Sequence, residues 1–255
     1  MTVLHHVTYG KTNADNGTVV LLGSIGSTTD MWLPQLDALS RDHRVIALDH
    51  RGHGSSPVVP GPATIEALAA DVLETLDTLH VEDFAVVGLS LGGAVAQYLA
   101  ATSPRVTRAV FMCTSPKFGT RESWIERAAA TRSTGTGALA DAVIGRWFSP
   151  GFLESRPATT NHYRTMVASC DDEGYASCCE ALANWDFQDR LAEISVPVLT
   201  IAGGDDPSTP PETLQGIADA VSGEARAEVL SPGAHVPTVE RPAEVNALLQ
   251  EFLGA

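Results

Sequence analysis

Residues 88–92 (GLSLG) place Ser90 between two glycines, directly after an apolar run and directly before a helical pattern. Where a strand turns sharply into a helix, the residue at the turn is strained, and flanking glycines remove the Cβ atoms that would collide. A serine hydroxyl held in this way can attack a carbonyl carbon once a base accepts its proton. The pattern therefore predicts acyl transfer with Ser90 as the nucleophile.

The general base should be a histidine that follows Ser90, because enzymes with this serine turn carry their partners in the order serine, acid, histidine. Six of the eight histidines precede Ser90, which leaves His162 and His235. His235 lies in a loop just after the last apolar strand candidate, whereas His162 falls in a helical stretch. We therefore predict that His235 is the base.

The acid is expected just after the preceding strand, where residues 203–207 (GGDDP) offer Asp205 and Asp206. The Gly-x-x-Asp spacing from Gly203 to Asp206 resembles that of hydrolases with the same serine turn. We therefore predict Asp206 as the acid and Asp205 as its solvated or turn-capping neighbour. The alternative assignment to Asp205 stays open.

The oxyanion formed during acyl transfer needs hydrogen-bond donors, which backbone N–H groups can supply. The residue after the nucleophile, Leu91, offers one such group. The second donor should come from the loop after the first strand of the main sheet, which reads GSIGS over residues 23–27. By position, Ile25 is the predicted second donor.

Residues 49–56 (DHRGHGSS) contain two histidines, His50 and His53, that suggest a metal pair. A two-ligand site without a nearby third His or Cys is a weak signal, so no metal is expected here. We interpret the segment as structural, with Asp49 and Arg51 tying loops together. The glycines within it permit a tight turn.

Short apolar runs alternate with longer amphipathic stretches along the chain, which is typical of βαβ units and a mostly parallel sheet. The strand candidates are residues 18–22, 44–49, 84–88, 108–113, 197–202 and 225–230. Helix candidates cover residues 65–79, with Thr64 as N-cap, residues 92–101, and residues 243–252 after Pro242. The predicted fold class is α/β, a mostly parallel central sheet flanked by helices.

The alternation stops between Lys117 and Arg190, where helical patterns dominate and no good strand is visible. A helical block inserted between strands predicts a cap over the carboxyl edge of the sheet. We therefore expect a single domain over 1–255, with a core of residues 1–116 and 191–255 and a helical cap of about 117–190. One domain is ordinary for an α/β protein of this length.

Composition narrows the class of partner. Hydrophobic residues make up 44% of the chain and the net charge is −15, with 16 Lys and Arg in total, so nucleic acid is excluded as a partner. The sequence shows no signal peptide and no membrane span, which predicts a cytoplasmic protein. Its four cysteines show no metal-ligand or redox spacing and are expected to be reduced thiols. A homo-oligomer is neither predicted nor excluded.

Several segments together resemble the 3-oxoadipate enol-lactonases of aromatic catabolism, which are α/β-hydrolases. The similar segments are residues 23–32 (GSIGSTTDMW), 88–97 (GLSLGGAVAQ), 203–211 (GGDDPSTPP), 116–132 at the start of the cap, and 173–179 (EGYASCC). Residues 233–242 read GAHVPTVERP where GAHLSNLEQP is expected, a mild departure that touches the pocket rather than the triad. The resemblance runs over nearly the whole chain.

This resemblance implies hydrolysis of 3-oxoadipate enol-lactone to 3-oxoadipate, a step of the β-ketoadipate pathway, without a cofactor. The substrate is a small lactone that carries a free carboxylate, so a cation is expected in the pocket of this acidic protein. Arg132 is the predicted cation, although a solvated cap arginine is an equally good interpretation. Trp147 is predicted to wall the pocket, although packing between cap and core would also explain it.

The sequence alone leaves other functions open. A carbon–carbon bond hydrolase or a broad esterase could use the same triad, because one fold hosts many chemistries. A ligand receptor built on a hydrolase scaffold is a remote alternative from a different class. Turnover measurements distinguish a receptor from an enzyme, and pocket residues distinguish the enzymes from one another.

Overall fold

The computed structural model describes residues 2–11 and 17–254. Its sheet has seven strands in the order β1-β3-β2-β4-β5-β6-β7. The strands are β1 (His6–Tyr9), β2 (Thr18–Leu22), β3 (Arg44–Leu48), β4 (Phe84–Leu89), β5 (Val106–Met112), β6 (Val198–Gly203) and β7 (Ala225–Leu230). Strand β1 pairs antiparallel with β3, and every other pairing is parallel. The predicted α/β fold class is confirmed.

Strand β4 lies in the middle of the sheet, and all six of its residues are buried. Because side chains alternate between the faces of a strand, Phe84 and Val86 enter one apolar cluster while Ala85 and Val87 enter the other. Burial on both faces explains why the run is continuously apolar rather than alternating. The strand that carries the nucleophile candidate is thus fixed from both sides.

The helices of the chain cover both faces of the sheet and the intervening cap. They are α1 (Leu33–Leu39), α2 (Ile65–Thr78), α3 (Leu91–Thr102), α4 (Arg121–Thr134), α5 (Ala140–Trp147), α6 (Pro150–Ser155), α7 (Pro157–Ala168), α8 (Asp172–Ala183), α9 (Pro211–Ala220), α10 (Pro237–Glu240) and α11 (Pro242–Leu253). Thr64 caps α2 as predicted, since its side chain accepts a hydrogen bond from the backbone of Ala67. Short 3₁₀ turns occupy Thr29–Trp32, Thr136–Ala138 and Gln188–Glu193.

Helices α4 to α8 all lie between β5 and β6, in the region predicted to form the cap. Hydrogen bonds close this insertion where it leaves and rejoins the sheet. The indole of Trp185 donates to the carbonyl of Ser115 at 3.1 Å, and the backbone N–H of Phe187 donates to the carbonyl of Pro116 at 2.8 Å. Among the described residues, no helix has the length and apolar character needed to cross a membrane.

Candidate active site

Ser90 occupies the sharp turn between β4 and α3, with φ at +57° and ψ at −114°. This left-handed conformation is strained for a residue with a side chain, and the surrounding contacts hold it in place. The backbone N–H of Ser90 donates a hydrogen bond to the carbonyl oxygen of Met112 at 3.0 Å. A Cβ atom on Gly92 would lie 2.1 Å from the carbonyl oxygen of Leu22, and one on Gly88 would lie 2.2 Å from that of Gly92. Glycine is therefore required on both sides of the serine.

His235 lies in the loop after β7, and its Nδ1 is 2.7 Å from Oδ2 of Asp206. Both side chains are buried. The same carboxylate accepts hydrogen bonds from the hydroxyl of Thr209 at 2.6 Å and from the backbone of Ser208 at 2.8 Å. Asp205, by contrast, is exposed and accepts from the backbone N–H of Gly233. Of the two neighbouring carboxylates, Asp206 is the one that contacts the histidine.

The surroundings of the Asp206 carboxylate favour its charged form. Burial by itself would raise its pKa, but the positive charge and hydrogen bond of His235, with the bonds from Thr209 and Ser208, together bring the pKa below its usual value. A charged carboxylate at Nδ1 fixes the ring orientation and leaves Nε2 of His235 as the nitrogen free to exchange a proton.

Both Ser90 and His235 line a cavity of about 160 Å³. Its lining comes from both the sheet edge and the cap, namely Ser24, Ile25, Ser90, Phe118, Trp124, Arg127, Val143, Arg146, Trp147, Ser208 and His235. It shares residues with a larger cleft of about 540 Å³ between α4 and α5. This arrangement can admit a small molecule through the cap to a hydroxyl and an imidazole. The predicted placement of Trp147 at the cavity agrees with the structure.

The predicted oxyanion donors lie beside this cavity. Ile25 lines it, and Leu91 begins α3 immediately after Ser90. Within the described part of the chain, neither of their backbone N–H groups donates a hydrogen bond to another group. The Gly23 carbonyl accepts from the backbone N–H of Gly92 at 3.0 Å and faces Nε2 of His50 at 2.9 Å. These contacts pin the loop after β2 against the start of α3.

The segment that carries the two histidines is structural, as predicted. The Asp49 carboxylate accepts from the backbone of Thr29 at 2.7 Å and from that of Ser55 at 3.0 Å. Arg51 forms a two-point ion pair with Asp71, at 2.6 and 2.8 Å. These contacts tie the segment to the turn that begins at Thr29 and to helix α2, which is the kind of role expected of Asp49 and Arg51.

One group of potential metal ligands adjoins the active site. Single ligand atoms of Cys113, Asp206 and His235 all lie within 4.8 Å of one another, the one such trio that the described residues contain. Burial, with the Asp206 charge next, raises the pKa of the Cys113 thiol well above its usual value, so the sulfur stays protonated. Asp206 and His235 use Oδ2 and Nδ1 for the hydrogen bond between them. All four cysteines are free and buried.

Arg132 does not reach the cavity, so the structure corrects its predicted role. Its guanidinium donates four hydrogen bonds, two to Glu173 and two to Glu180, at 2.7 to 3.0 Å. Arg127 lies five positions earlier on α4, which is about 140° around the helix. Arg127 therefore faces the cavity, whereas Arg132 faces α8.

Five cap residues line the cavity without having been predicted to do so: Phe118, Trp124, Arg127, Val143 and Arg146. Trp124 and Arg127 are three positions apart on α4, and such residues share a helix face. This spacing is the signal in the sequence by which the two residues could have been predicted to lie on the same side of α4. The Arg127 guanidinium lies over the Trp124 ring at 5.1 Å and contacts the hydroxyl of Tyr175.

The serine turn, the Asp–His pair and the sheet order define a class, and sequence comparison agrees with it. The chain belongs to the α/β-hydrolase family, whose model matches residues 19–248. It is 36% identical to 3-oxoadipate enol-lactonase 2 of Acinetobacter baylyi over 251 residues, which is 98% of this chain and 92% of the relative. It is 35% identical to 3-oxoadipate enol-lactonase 1 of that organism over 192 residues, which is 75% of this chain and 72% of the relative.

A solved structure extends the comparison. The crystal structure of the enol-lactonase from Burkholderia xenovorans LB400 matches with a TM-score of 0.96 at 36% identity, and the match covers 100% of this chain and 97% of that one. The predicted resemblance to this group of hydrolases is confirmed.

Proposed function

We propose that this α/β-hydrolase hydrolyses 3-oxoadipate enol-lactone to 3-oxoadipate. The observation that carries the proposal is the cavity in which Ser90 and His235 face two cap arginines, Arg127 and Arg146. The names of the relatives at 35 and 36% identity support the same substrate. In this proposal residues 117–190 act as the cap, because they supply the aromatic and cationic walls.

Each step of the reaction uses a group already placed. His235, oriented by Asp206, accepts the proton of the Ser90 hydroxyl, and the oxygen attacks the lactone carbonyl. The backbone N–H groups of Ile25 and Leu91 stabilise the oxyanion. Collapse of the tetrahedral intermediate breaks the ring C–O bond, His235 returns its proton to the leaving enolate oxygen, and the resulting enol tautomerises to the ketone. Water activated by His235 then hydrolyses the acyl-enzyme and frees Ser90.

The cation that holds the substrate carboxylate is assigned to Arg127. Its side chain is partly buried and is held by Tyr175 and Trp124, so little rotamer entropy is lost on binding. Arg146 is exposed, and we assign it to attraction of the anion at the mouth of the cavity. Both roles matter because the chain carries a net charge of −15.

The nucleophile and the substrate are tested together. We expect steady-state hydrolysis of the enol-lactone to be fast in the wild type and to fall by roughly 10⁴-fold or more in Ser90→Ala. The matched control is Ser133→Ala, since Ser133 is exposed on α4 and its hydroxyl bonds only to the Ala130 carbonyl. Turnover of a neutral aryl ester without turnover of the lactone would keep Ser90 and discard the proposed substrate.

The carboxylate assignment has its own test. Arg127→Gln should lower kcat/KM for the anionic lactone by roughly 10- to 100-fold, because a charge-assisted pair is lost, and should change that for a neutral aryl ester far less. Arg132→Gln on the same helix is the matched control and should leave both values near those of the wild type. Equal losses on both substrates in Arg127→Gln would contradict a carboxylate-binding role.

A further inference from the structure

The two residues that flank His235 are both hydrogen bonded to groups outside their own loop. The backbone N–H of Ala234 donates to Oε2 of Glu240 at 3.0 Å. The backbone N–H of Val236 donates to the carbonyl of Trp147 at 3.0 Å. Ala234 and Val236 are buried, so a backbone N–H that loses its partner there costs free energy.

Glu240 continues this connection into the helices between β5 and β6. Its carboxylate accepts from the hydroxyl of Ser149 and from the backbone N–H of the same residue at 3.4 Å. Ser149 is the N-cap of α6 and follows Trp147 by two positions. One short segment, Trp147 to Ser149, is therefore tied to both sides of the histidine, directly through Val236 and indirectly through Glu240.

The opposite side of His235 is held differently. Asp206 fixes the imidazole through Nδ1 at 2.7 Å, which restrains the ring but not the backbone that carries it. The loop between β7 and α10 has no helix or strand of its own. Its backbone position therefore depends on hydrogen bonds to its neighbours. The N–H groups on either side of the histidine donate to Glu240 and Trp147, and the Val236 carbonyl accepts from the backbone of Val239.

We propose that Glu240 is a positioning residue for His235: by bridging Ala234 and Ser149, it sets the backbone of the catalytic base against the end of the cap. Glu240 does not line the cavity that holds Ser90, so it acts through the loop and not on the substrate. The inference rests on the proposed role of His235 as base. A small displacement of a catalytic group lowers the rate of the chemical step strongly while leaving ground-state binding nearly intact.

The main test compares Glu240→Ala with Glu240→Gln on a neutral aryl ester. Alanine leaves the Ala234 N–H without an acceptor, so we expect kcat to fall roughly 10- to 100-fold while KM changes less than about 3-fold. Glutamine can keep an oxygen toward both N–H donors and turn its NH₂ toward the Ser149 hydroxyl, so its kcat should stay within about 3-fold of the wild type. Glu244→Gln makes the same chemical change on the exposed side of α11 and should not alter kcat.

A second variant covers the case in which Glu240→Ala does not fold, as judged by cooperative thermal unfolding. Ser149→Ala removes the hydroxyl bond to Glu240 and the N-cap bond that the same hydroxyl accepts from the backbone of Phe152, and it should lower kcat by roughly 3- to 10-fold at unchanged KM. If both single variants fold, the double variant should be no slower than Glu240→Ala, because both changes act on one bridge. If the losses in kcat of the two single variants multiply in the double variant, the two residues act independently, and this result would overturn the bridge.

Other outcomes also overturn the inference. Wild-type kcat in folded Glu240→Ala, wild-type kcat in Ser149→Ala, or losses in KM alone would each show that the bridge does not position the base. The neutral ester separates this test from the substrate proposal. If the wild type cleaves the ester but not the lactone, the substrate is wrong while the Glu240 comparison remains valid.

Discussion

Acidification should destabilise this protein through a buried histidine, His53, that does not line the active-site cavity. The His53 side chain is 1% exposed, its Nδ1 faces the Arg51 carbonyl at 3.0 Å, and its buried Nε2 has no hydrogen-bond partner among the described residues. Burial, together with the charge on His50, lowers the pKa of His53 from 6.5 to about 4. The folded state therefore favours the neutral ring.

Proton linkage gives the sign and size of the change in the free energy of unfolding with pH. Between pH 6.5 and 4 the unfolded chain binds a proton at this residue that the folded chain does not, so the free energy of unfolding falls as pH falls. With a folded pKa of about 4 for His53, about 2 kcal/mol is lost on going from pH 7.5 to pH 5, and the full loss approaches roughly 3 kcal/mol below pH 4.

The assay is urea unfolding at pH 7.5 and at pH 5.0 for the wild type and His53→Phe. Phenylalanine keeps a ring against Tyr175 but cannot take up a proton, so its stability should fall about 2 kcal/mol less over this range. Other titrating groups are shared by both proteins and cancel in the difference, provided that the urea m-value is the same. Equal losses in the two proteins would refute the argument.

Three further changes follow from the same structure. Gly92→Ala places a Cβ atom about 2 Å from the Leu22 carbonyl, so it should lower the melting temperature sharply and abolish ester hydrolysis; a wild-type melting curve would contradict the required close approach. Asp71→Asn leaves the mostly buried Arg51 charge uncompensated and should cost about 3 kcal/mol in urea unfolding, whereas a loss below about 1 kcal/mol would place the pair in solvent. Trp147→Ala enlarges the cavity and should raise KM for the lactone more than it lowers kcat, and the reverse order would count against its role as a wall.

The fold was largely predictable because apolar runs mark buried strands. Six of the seven strands were predicted, and the missing one, β1, has four residues that are only partly buried or exposed. Such an edge strand lacks the apolar run by which the others were found. Its pairing with β3 depends on tertiary contact rather than on local pattern.

The orientation of helix α4 in the cap could not be predicted from the sequence. Only Ala128 and Thr131 of α4 are buried, so the helix has no strong apolar face from which its orientation could be read. Packing against α8 sets that orientation, and it turns Arg132 toward two glutamates and Arg127 toward the cavity. The sequence does not show this packing, and Arg132, which lies outside the cavity, was therefore predicted to line it.

The sequence by itself determined the α/β fold, the serine at the turn and the order in which acid and histidine follow it. These features are local, because steric limits at a strand-to-helix turn and burial of a strand leave their mark on neighbouring residues. Only the tertiary structure decided which cap side chains face the cavity and which groups hold His235. Glu240 bonds to Ala234 six positions before it and to Ser149 at a separation of 91 positions, and no local pattern encodes the packing that brings Ser149 to it.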